Sequence, residues 1–391
     1  MADPQVEMKT LNTGITVQLI NQYSAFEKIK NDWNNLVERS QFDSIFLRHE
    51  WFDAAWQWRK ADSQLHILAI ILNNQLIGIC PFVMSKKRQR IGKIRCLEFL
   101  TVPDTMHCDI IFEKKNRSVA IRSLMTWFQN NKGKWELVDL RYFPELSPTP
   151  LELKNFAPSI GLKTYQSNPD YNHFIALNTS WEEFYKTKSR RLKKGNNLVA
   201  NHLKRAGNIR VEWIRDPEQV MKSLPDVINI SASSWKKKTK LTLDQPLPGT
   251  FIQKLSKLSS TQGWLSIWLL YLDDVPIASE YQLTYRGCNY ALRADYDESY
   301  AKLSPGTYMN WQLLQQLFNS SHTCYYLGRG DNSYKLRWSD TSEKMPAMVM
   351  YGSTVRGKIL LLIEQYIRPF KHAVVKLINN IKHSIPSFTG K

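Results

Sequence analysis

No stretch of this sequence approaches the roughly 18 uncharged apolar residues that a membrane-spanning helix needs. Cysteine is scarce and scattered. The five, at positions 80, 96, 108, 288 and 324, contain no Cys-x-x-Cys spacing, and their number is odd. Neither a zinc site nor a disulfide framework is expected, and a reduced, cytoplasmic chain is the simplest reading. The first seven residues, Met1 to Glu7, lack the basic and apolar regions of a secretory signal. No zinc-finger spacing and no RRM aromatic signature is present, so specific nucleic-acid reading has little support. What is there is ordinary for a globular protein: 43% hydrophobic and 23% charged residues, which exclude a disordered chain, a collagen and a coiled-coil rod. At 391 residues, two or three domains are expected.

Acid is also in short supply, with 35 Asp and Glu against 53 Lys and Arg, a net charge of +18. The excess sits in clusters. Residues 86–95 carry six basic side chains and no acid, residues 186–205 carry eight and no acid, and Lys236-Lys237-Lys238-Thr239-Lys240 is a third cluster. These are either solvated faces and a loop between strands, or a surface for an anion: a phosphorylated cofactor, tRNA, an acidic glycan or a lipid headgroup.

The pattern of apolar residues gives the same order of elements twice. In the first half a helix over 23–38 has Phe26, Ile29, Trp33, Leu36 and Val37 at helical spacing, and a second, Trp-rich helix spans 50–58. The β-branched runs 65–72 and 75–84 flank Asn73-Asn74, a hairpin signal. Strands follow at 108–112, 136–140, 162–166 and 172–177, with helices at 117–129 and 151–157. The second half opens with a basic helical stretch over 181–205. Runs 265–272 and 275–285 flank Asp273-Asp274 and repeat the earlier hairpin; strand 289–294, helix 305–319 and strands 323–327 and 345–351 complete the half. The expected architecture is a tandem of two related α/β (α+β) domains, each a mixed, mostly antiparallel sheet flanked by helices. The halves are 1–178 and 179–353, followed by a C-terminal basic amphipathic helix within 354–391.

Three short stretches carry a resemblance. Tyr296-Asp297-Glu298-Ser299-Tyr300-Ala301-Lys302-Leu303-Ser304-Pro305-Gly306 resembles the pattern Tyr-Asp-x-x-Tyr-x-x-x-Ser-Pro-Gly, and Gly330-Asp331-Asn332-Ser333-Tyr334-Lys335 resembles Gly-Asp-x-x-Tyr-Lys. Phe46 to Trp51 resembles the Phe-x-x-x-x-Trp that opens a helix near the N-terminus of the same family. That family is the CelD-like group of GNAT-fold acetyltransferases, named for cellulose biosynthesis and related to the Fem-type tandem transferases. The resemblance is strongest over about 180–340, and the first half, a degenerate GNAT-like domain on this reading, shares only the order of elements and one stretch. It implies acyl transfer from acetyl-CoA or another acyl-CoA, with no metal, to an amine or hydroxyl acceptor.

The residues themselves fit that chemistry. A helix N-terminus offers unpaired N–H groups and a partial positive charge to a pyrophosphate. In Ser304-Pro305-Gly306-Thr307, Ser304 suits the N-cap, Pro305 the first helical position and Gly306 a close approach of ligand to backbone; plain helix capping is the alternative. Acyl transfer needs a base. By alternation Glu280 shares a face of strand 275–285 with Ala278 and Gln282. The resemblance implies a carboxylate on this central strand as the base, whereas an exposed glutamate on a polar face is the plain reading. Asp295 and Asp297, which bound the next strand, are alternatives for the base or simple loop caps. Lys335 suits a phosphate or a developing oxyanion, with Asp331 beside the cofactor, and Tyr334 suits a proton donor to the leaving thiolate. Otherwise Asp331 and Lys335 form an i,i+4 pair on a wet helix.

The C-terminal stretch 355–381 is amphipathic and basic, fitting a helix packed across a domain or one lying on an anionic membrane surface through 354–383. Two other functions stay open on the sequence: a Fem-type transferase that takes its aminoacyl group from charged tRNA, and a non-catalytic module binding envelope polysaccharide. An envelope-glycan or small-molecule acceptor and a cytoplasmic location, peripheral to the inner face of the membrane, complete the expectation.

Overall fold

Both expected hairpins form, and both turn on paired residues in the left-handed region: Asn73 and Asn74 at φ 49° and 64°, Asp273 and Asp274 at 47° and 65°. Positive φ at both central positions is the type I′ geometry that matches the twist of the flanking strands, and short Asn and Asp side chains tolerate it. The computed structural model describes residues 8–11, 14–89 and 91–367.

The first half runs β1 (Met8–Leu11), β2 (Ile15–Ile20), α1 (Tyr23–Lys28), α2 (Lys30–Glu38), α3 (His49–Arg59), β3 (Ser63–Leu65), β4 (Ile67–Leu72), β5 (Gln75–Cys80), β6 (Phe82–Gln89), β7 (Gly92–Phe99), β8 (Ile111–Phe112), α4 (Arg117–Asn131), β9 (Leu137–Leu140), α5 (Thr149–Phe156) and β10 (Thr164–Ala176). The second runs α6 (Trp181–Thr187), α7 (Arg190–Ala206), β11 (Ile209–Ile214), α8 (Pro217–Ala232), α9 (Pro246–Ser260), β12 (Leu265–Leu272), β13 (Val275–Tyr285), β14 (Cys288–Tyr296), α10 (Pro305–Phe318), β15 (Cys324–Arg329), α11 (Ser333–Trp338), β16 (Ser342–Tyr351) and α12 (Val355–Leu362). This is the tandem α/β order expected. The single helix over 23–38 is broken at Ile29, and the two strands expected over 162–177 are one strand, β10, with a bulge between Ser167 and Asp170.

An eleven-stranded sheet, β11-β12-β13-β14-β15-β10-β16-β9-β7-β6-β3, runs through both halves. A smaller sheet, β1-β2-β4-β5-β8, belongs to the first half alone. Pro81 lies between β5 and β6 and passes the chain from one sheet to the other. Near the centre of the large sheet the halves exchange strands. β10 pairs with β15 and β16, and β16 pairs with β9, all antiparallel. The expected boundary at 178 therefore follows a strand whose neighbours, β15 and β16, both lie beyond it.

Two sequence readings are corrected. Most of the basic run 86–95 is strand rather than loop: residues 86–89 and 92–95 lie in the arms of the β6–β7 hairpin, where Lys87 pairs with Glu98 and Asp139, and Arg95 with Glu136. The five cysteines are not all free either. Cys288 and Cys324 are joined by a disulfide across β14 and β15, with Cα atoms 4.7 Å apart, while Cys80, Cys96 and Cys108 are free and buried. Spacing hid the pair, since the two are 36 residues apart in sequence and meet only through strand register.

The sheet of the second half has a distinct core on each side. Tyr281 and Leu283 of β13 face α8 and α9, where the Tyr281 hydroxyl meets Ser256 of α9 at 3.1 Å. Trp268, Ala278 and Tyr325 face the other way, with Leu203 of α7 and Met309, Leu313 and Leu317 of α10. Among the described residues no helix is long and apolar enough to cross a membrane.

Candidate functional site

β14 and β15 are parallel neighbours over only three positions, from Cys288↔Cys324 to Tyr290↔Tyr326. Beyond these the strands part. A cavity of about 830 Å³ opens between them, lined by β14, β15, the start of α10, α11, Trp235 and Lys236, and by Pro103, Asp104, Met106 and Asp170 from the first half.

Glu280 lies on its wall, 2% exposed, so it is no surface glutamate. Gln282 donates to its Oε1 at 2.7 Å and the Tyr325 hydroxyl at 2.6 Å, which confirms the shared face read from alternation. Burial raises the Glu280 carboxyl to about 7, against the opposing pull of Tyr325, Gln282 and the Lys236 charge. Its cross-strand partner is Ala294; Asp295, next along β14, points to the other face, where it pairs with Lys236 at 2.7 Å and meets Ser231 of α8 at 3.1 Å. Asp297 is elsewhere. Its carboxylate caps the short 3-10 turn at Glu298–Leu303 through the Ser299 N–H at 2.9 Å, and it is not part of the cavity wall, so it is not placed to act as the base.

α10 begins where the sequence puts it, at Pro305. Ser304 adopts the left-handed region at φ 54° and offers its carbonyl to the Thr307 and Tyr308 N–H groups. The expected side-chain cap from Ser304 does not form. Pro305 has no N–H, so Gly306 supplies the first helical donor. Ser304, Gly306, Thr307 and Asn310 line the cavity, whereas Pro305 is buried beneath it. Asn310 is 8% exposed, and its Oδ1 has no partner among the described residues.

α11 delivers Tyr334 and Lys335. Lys335 is 4% exposed and donates through Nζ to the carbonyls of Gly328 at 2.9 Å and Arg329 at 2.6 Å. Burial first, then the Arg329 and Lys236 charges, lower it to about 8. The i,i+4 pair on a wet helix is not formed: Asp331 instead meets His173 Nε2 of β10 at 2.7 Å and stays outside the cavity wall. Tyr334 sits on the rim, 36% exposed. Burial of its phenol and the charges of Glu280 and Asp295 push it up, which keeps it protonated.

Of the residues singled out from the sequence, the cavity brings together Glu280, Tyr334, Lys335, Ser304, Gly306 and Thr307. Sequence reasoning did not single out Tyr325, Asn310 or the Lys236–Asp295 pair. Lys236 had a signal, its basic cluster; Tyr325 and Asn310 sit in ordinary apolar patterns and had none.

Residues 190–336 match the acetyltransferase (GNAT) domain family. No curated protein matches the chain. Among solved structures, FemX is similar with a TM-score of 0.54 at 11% identity, covering 86% of this chain and 98% of its own. The C-terminal DUF2156 domain of an Agrobacterium fabrum protein gives 0.52 at 11%, over 86% of this chain and 97% of that domain. A conserved protein of unknown function from Bacteroides thetaiotaomicron gives 0.50 at 11%, over 89% and 100%. At this identity the likeness is one of fold. Over the matched residues the second half carries the GNAT fold, and the chain as a whole is a tandem of two α/β halves.

Proposed function

We propose that the second half transfers an acyl group from acyl-CoA to an amine or hydroxyl, with an acceptor drawn from cell-envelope or polysaccharide biosynthesis as in the CelD-like group. The observation that carries this reading is a buried carboxylate near neutrality, Glu280, in the same cavity as a helix N-terminus whose Gly306 N–H is free of a partner among the described residues. The cavity fits acyl-CoA on its own chemistry. The Gly306 N–H, beside the Thr307 side chain, meets a pyrophosphate, and the Asn310 Oδ1, unpartnered among the described residues, accepts from an amide. Bound there, acyl-CoA supplies its acyl group as a thioester.

Glu280, when ionised, takes the acceptor's proton as the acceptor attacks the acyl carbon. Lys335, held by two carbonyls, presents positive charge where the carbonyl oxygen becomes negative. Tyr334, protonated, returns a proton to the departing sulfur. The 1–178 half serves as scaffold and as part of the cavity wall. A position beside a membrane surface is supported by α12, which leaves Val355, Ile359 and Leu362 exposed; residues 368–391 lie outside the described residues. Calorimetry with acetyl-CoA tests the proposal, and no binding at millimolar ligand would remove it.

The aminoacyl-tRNA reading rests on α7, which exposes Arg190, Arg191, Lys194, Lys204 and Arg205. Tight, salt-sensitive binding of charged tRNA with no acetyl-CoA binding would favour it. Acetyl-CoA binding without turnover on any acceptor panel would favour a non-catalytic module.

A further inference from the structure

The cavity is lined from both faces of the large sheet. Glu280, Ala294, Gly306 and Asn310 belong to the α10 face. Asp295 and Arg293, the alternate residues of β14, turn to the α8 face and meet a different set of elements. There Arg293, 6% exposed, donates to Asp104 Oδ2 of the first half at 2.7 Å and to the Leu241 carbonyl at 2.9 Å. One guanidinium thus ties a first-half loop to the segment that follows the 3-10 turn Trp235–Thr239. The loop lines the cavity through Pro103, Asp104 and Met106, and the turn itself lines it through Trp235 and Lys236.

That turn is fixed in place and unfinished as a surface. Lys236 Nζ reaches Asp295 at 2.7 Å and the Ala294 carbonyl at 3.0 Å, which pins its backbone against β14. Trp235, on the rim of the cavity, is nevertheless 51% exposed, and makes no aromatic contact among the described residues. Lys238 and Lys240 beside it are exposed and form no ion pair among the described residues, whereas the Lys237 charge faces Asp244, so the turn presents uncovered positive charge at 238 and 240. A rigid flat apolar face next to unneutralised ammonium groups matches a ring that carries an anion.

Building on the acyl-transfer reading, we propose that the acceptor enters from the α8 face and is a phosphorylated sugar. Its ring lies on Trp235 against the first-half loop, its phosphate meets the Lys238 and Lys240 ammonium groups, and its amine or hydroxyl points through the gap between β14 and β15. The acyl donor occupies the opposite mouth.

Calorimetry with three probes tests this: acetyl-CoA, glucosamine 6-phosphate and glucosamine. Wild-type protein should bind glucosamine 6-phosphate at least about tenfold more tightly than glucosamine. Trp235→Ala and the double variant Lys238→Ala/Lys240→Ala should each weaken the sugar phosphate by about fivefold or more and leave acetyl-CoA affinity within about twofold. Sedimentation with vesicles carrying phosphatidylinositol 4-phosphate separates a lipid-borne source, bound more tightly than the free sugar phosphate, from a soluble one. Equal affinity for the two sugars overturns the proposal, as does a protein that binds acetyl-CoA but neither phosphorylated probe. So does a Trp235→Ala variant that loses acetyl-CoA instead, since the turn then belongs to the donor site. Failure of wild-type protein to bind acetyl-CoA is a different result and removes the acyl-transfer reading itself.

Discussion

The Tyr325 hydroxyl of β15 donates to the Glu280 carboxylate of β13 at 2.6 Å, passing the intervening strand β14. The bond stabilises the ionised form of a carboxyl that burial would otherwise hold neutral, and it is one reason the group lies at about 7.

Replacing Glu280 by Gln should lower kcat by ~10²–10⁴ and barely change acetyl-CoA affinity. A rate within about threefold of wild type would move the base to Asp295. Stability should move the other way. The folded carboxyl is raised from 4.5 to about 7, so its favourable term is complete below 4.5 and is lost as pH rises through 7. Gln carries no such cost, so the variant should be more stable than wild type at pH 8 by on the order of 2–3 kcal/mol, read as a higher Tm. In wild type, kcat/KM should rise through about pH 7, and Tyr325→Phe should shift that limb to higher pH.

Glu280 also shows how far the sequence could be read. Alternation along 275–285 placed it correctly beside Gln282, because strand period is a local property. The paired Asn and Asp turns and the Pro305 start of α10 were legible for the same reason. The Tyr325 bond, the Cys288–Cys324 pair and the Asp331–His173 contact were not, since they depend on register between strands far apart in the chain. The exchange of β10 and β16 between the halves was equally hidden, because nothing within a strand says which edge it will join.

Lys335 should control the other limb of the profile. Its ammonium is lowered to about 8, so the charge is present below that pH and lost above it, and kcat/KM should fall on the alkaline side. Lys335→Met should abolish that limb and reduce kcat/KM by ~1.5–3 kcal/mol, the range for a hydrogen bond to a charged group. A small, salt-screened effect would instead mean that the amine only closes α11 onto the Gly328 and Arg329 carbonyls.

Gly306 tests the donor end. A Cβ at this position comes to 3.4 Å from the Tyr296 ring, close but without backbone collision, and Val costs a helix no more than Gly does. Gly306→Val should therefore leave Tm nearly unchanged while weakening acetyl-CoA at least about tenfold, because the branched side chain stands over the first free N–H of α10. Unchanged affinity would make the α10 start a scaffold feature.

The disulfide ties the two strands whose divergence makes the cavity, at the first of their three paired positions. Beyond Tyr290 and Tyr326 no pairing holds β14 to β15, so the bond bears on how the strands are anchored before they part. Closing a loop of 36 residues removes chain entropy from the unfolded state, typically worth ~2–4 kcal/mol. Thiol titration in denaturant without reductant should find three cysteines, those at 80, 96 and 108. Cys288→Ser or added dithiothreitol should lower Tm and weaken acetyl-CoA together, since loosening this anchor relaxes both cavity walls. Five titratable thiols, with a Tm indifferent to reductant, would show that the strands hold their geometry through backbone pairing alone and would return the chain to the reduced state expected from cysteine spacing.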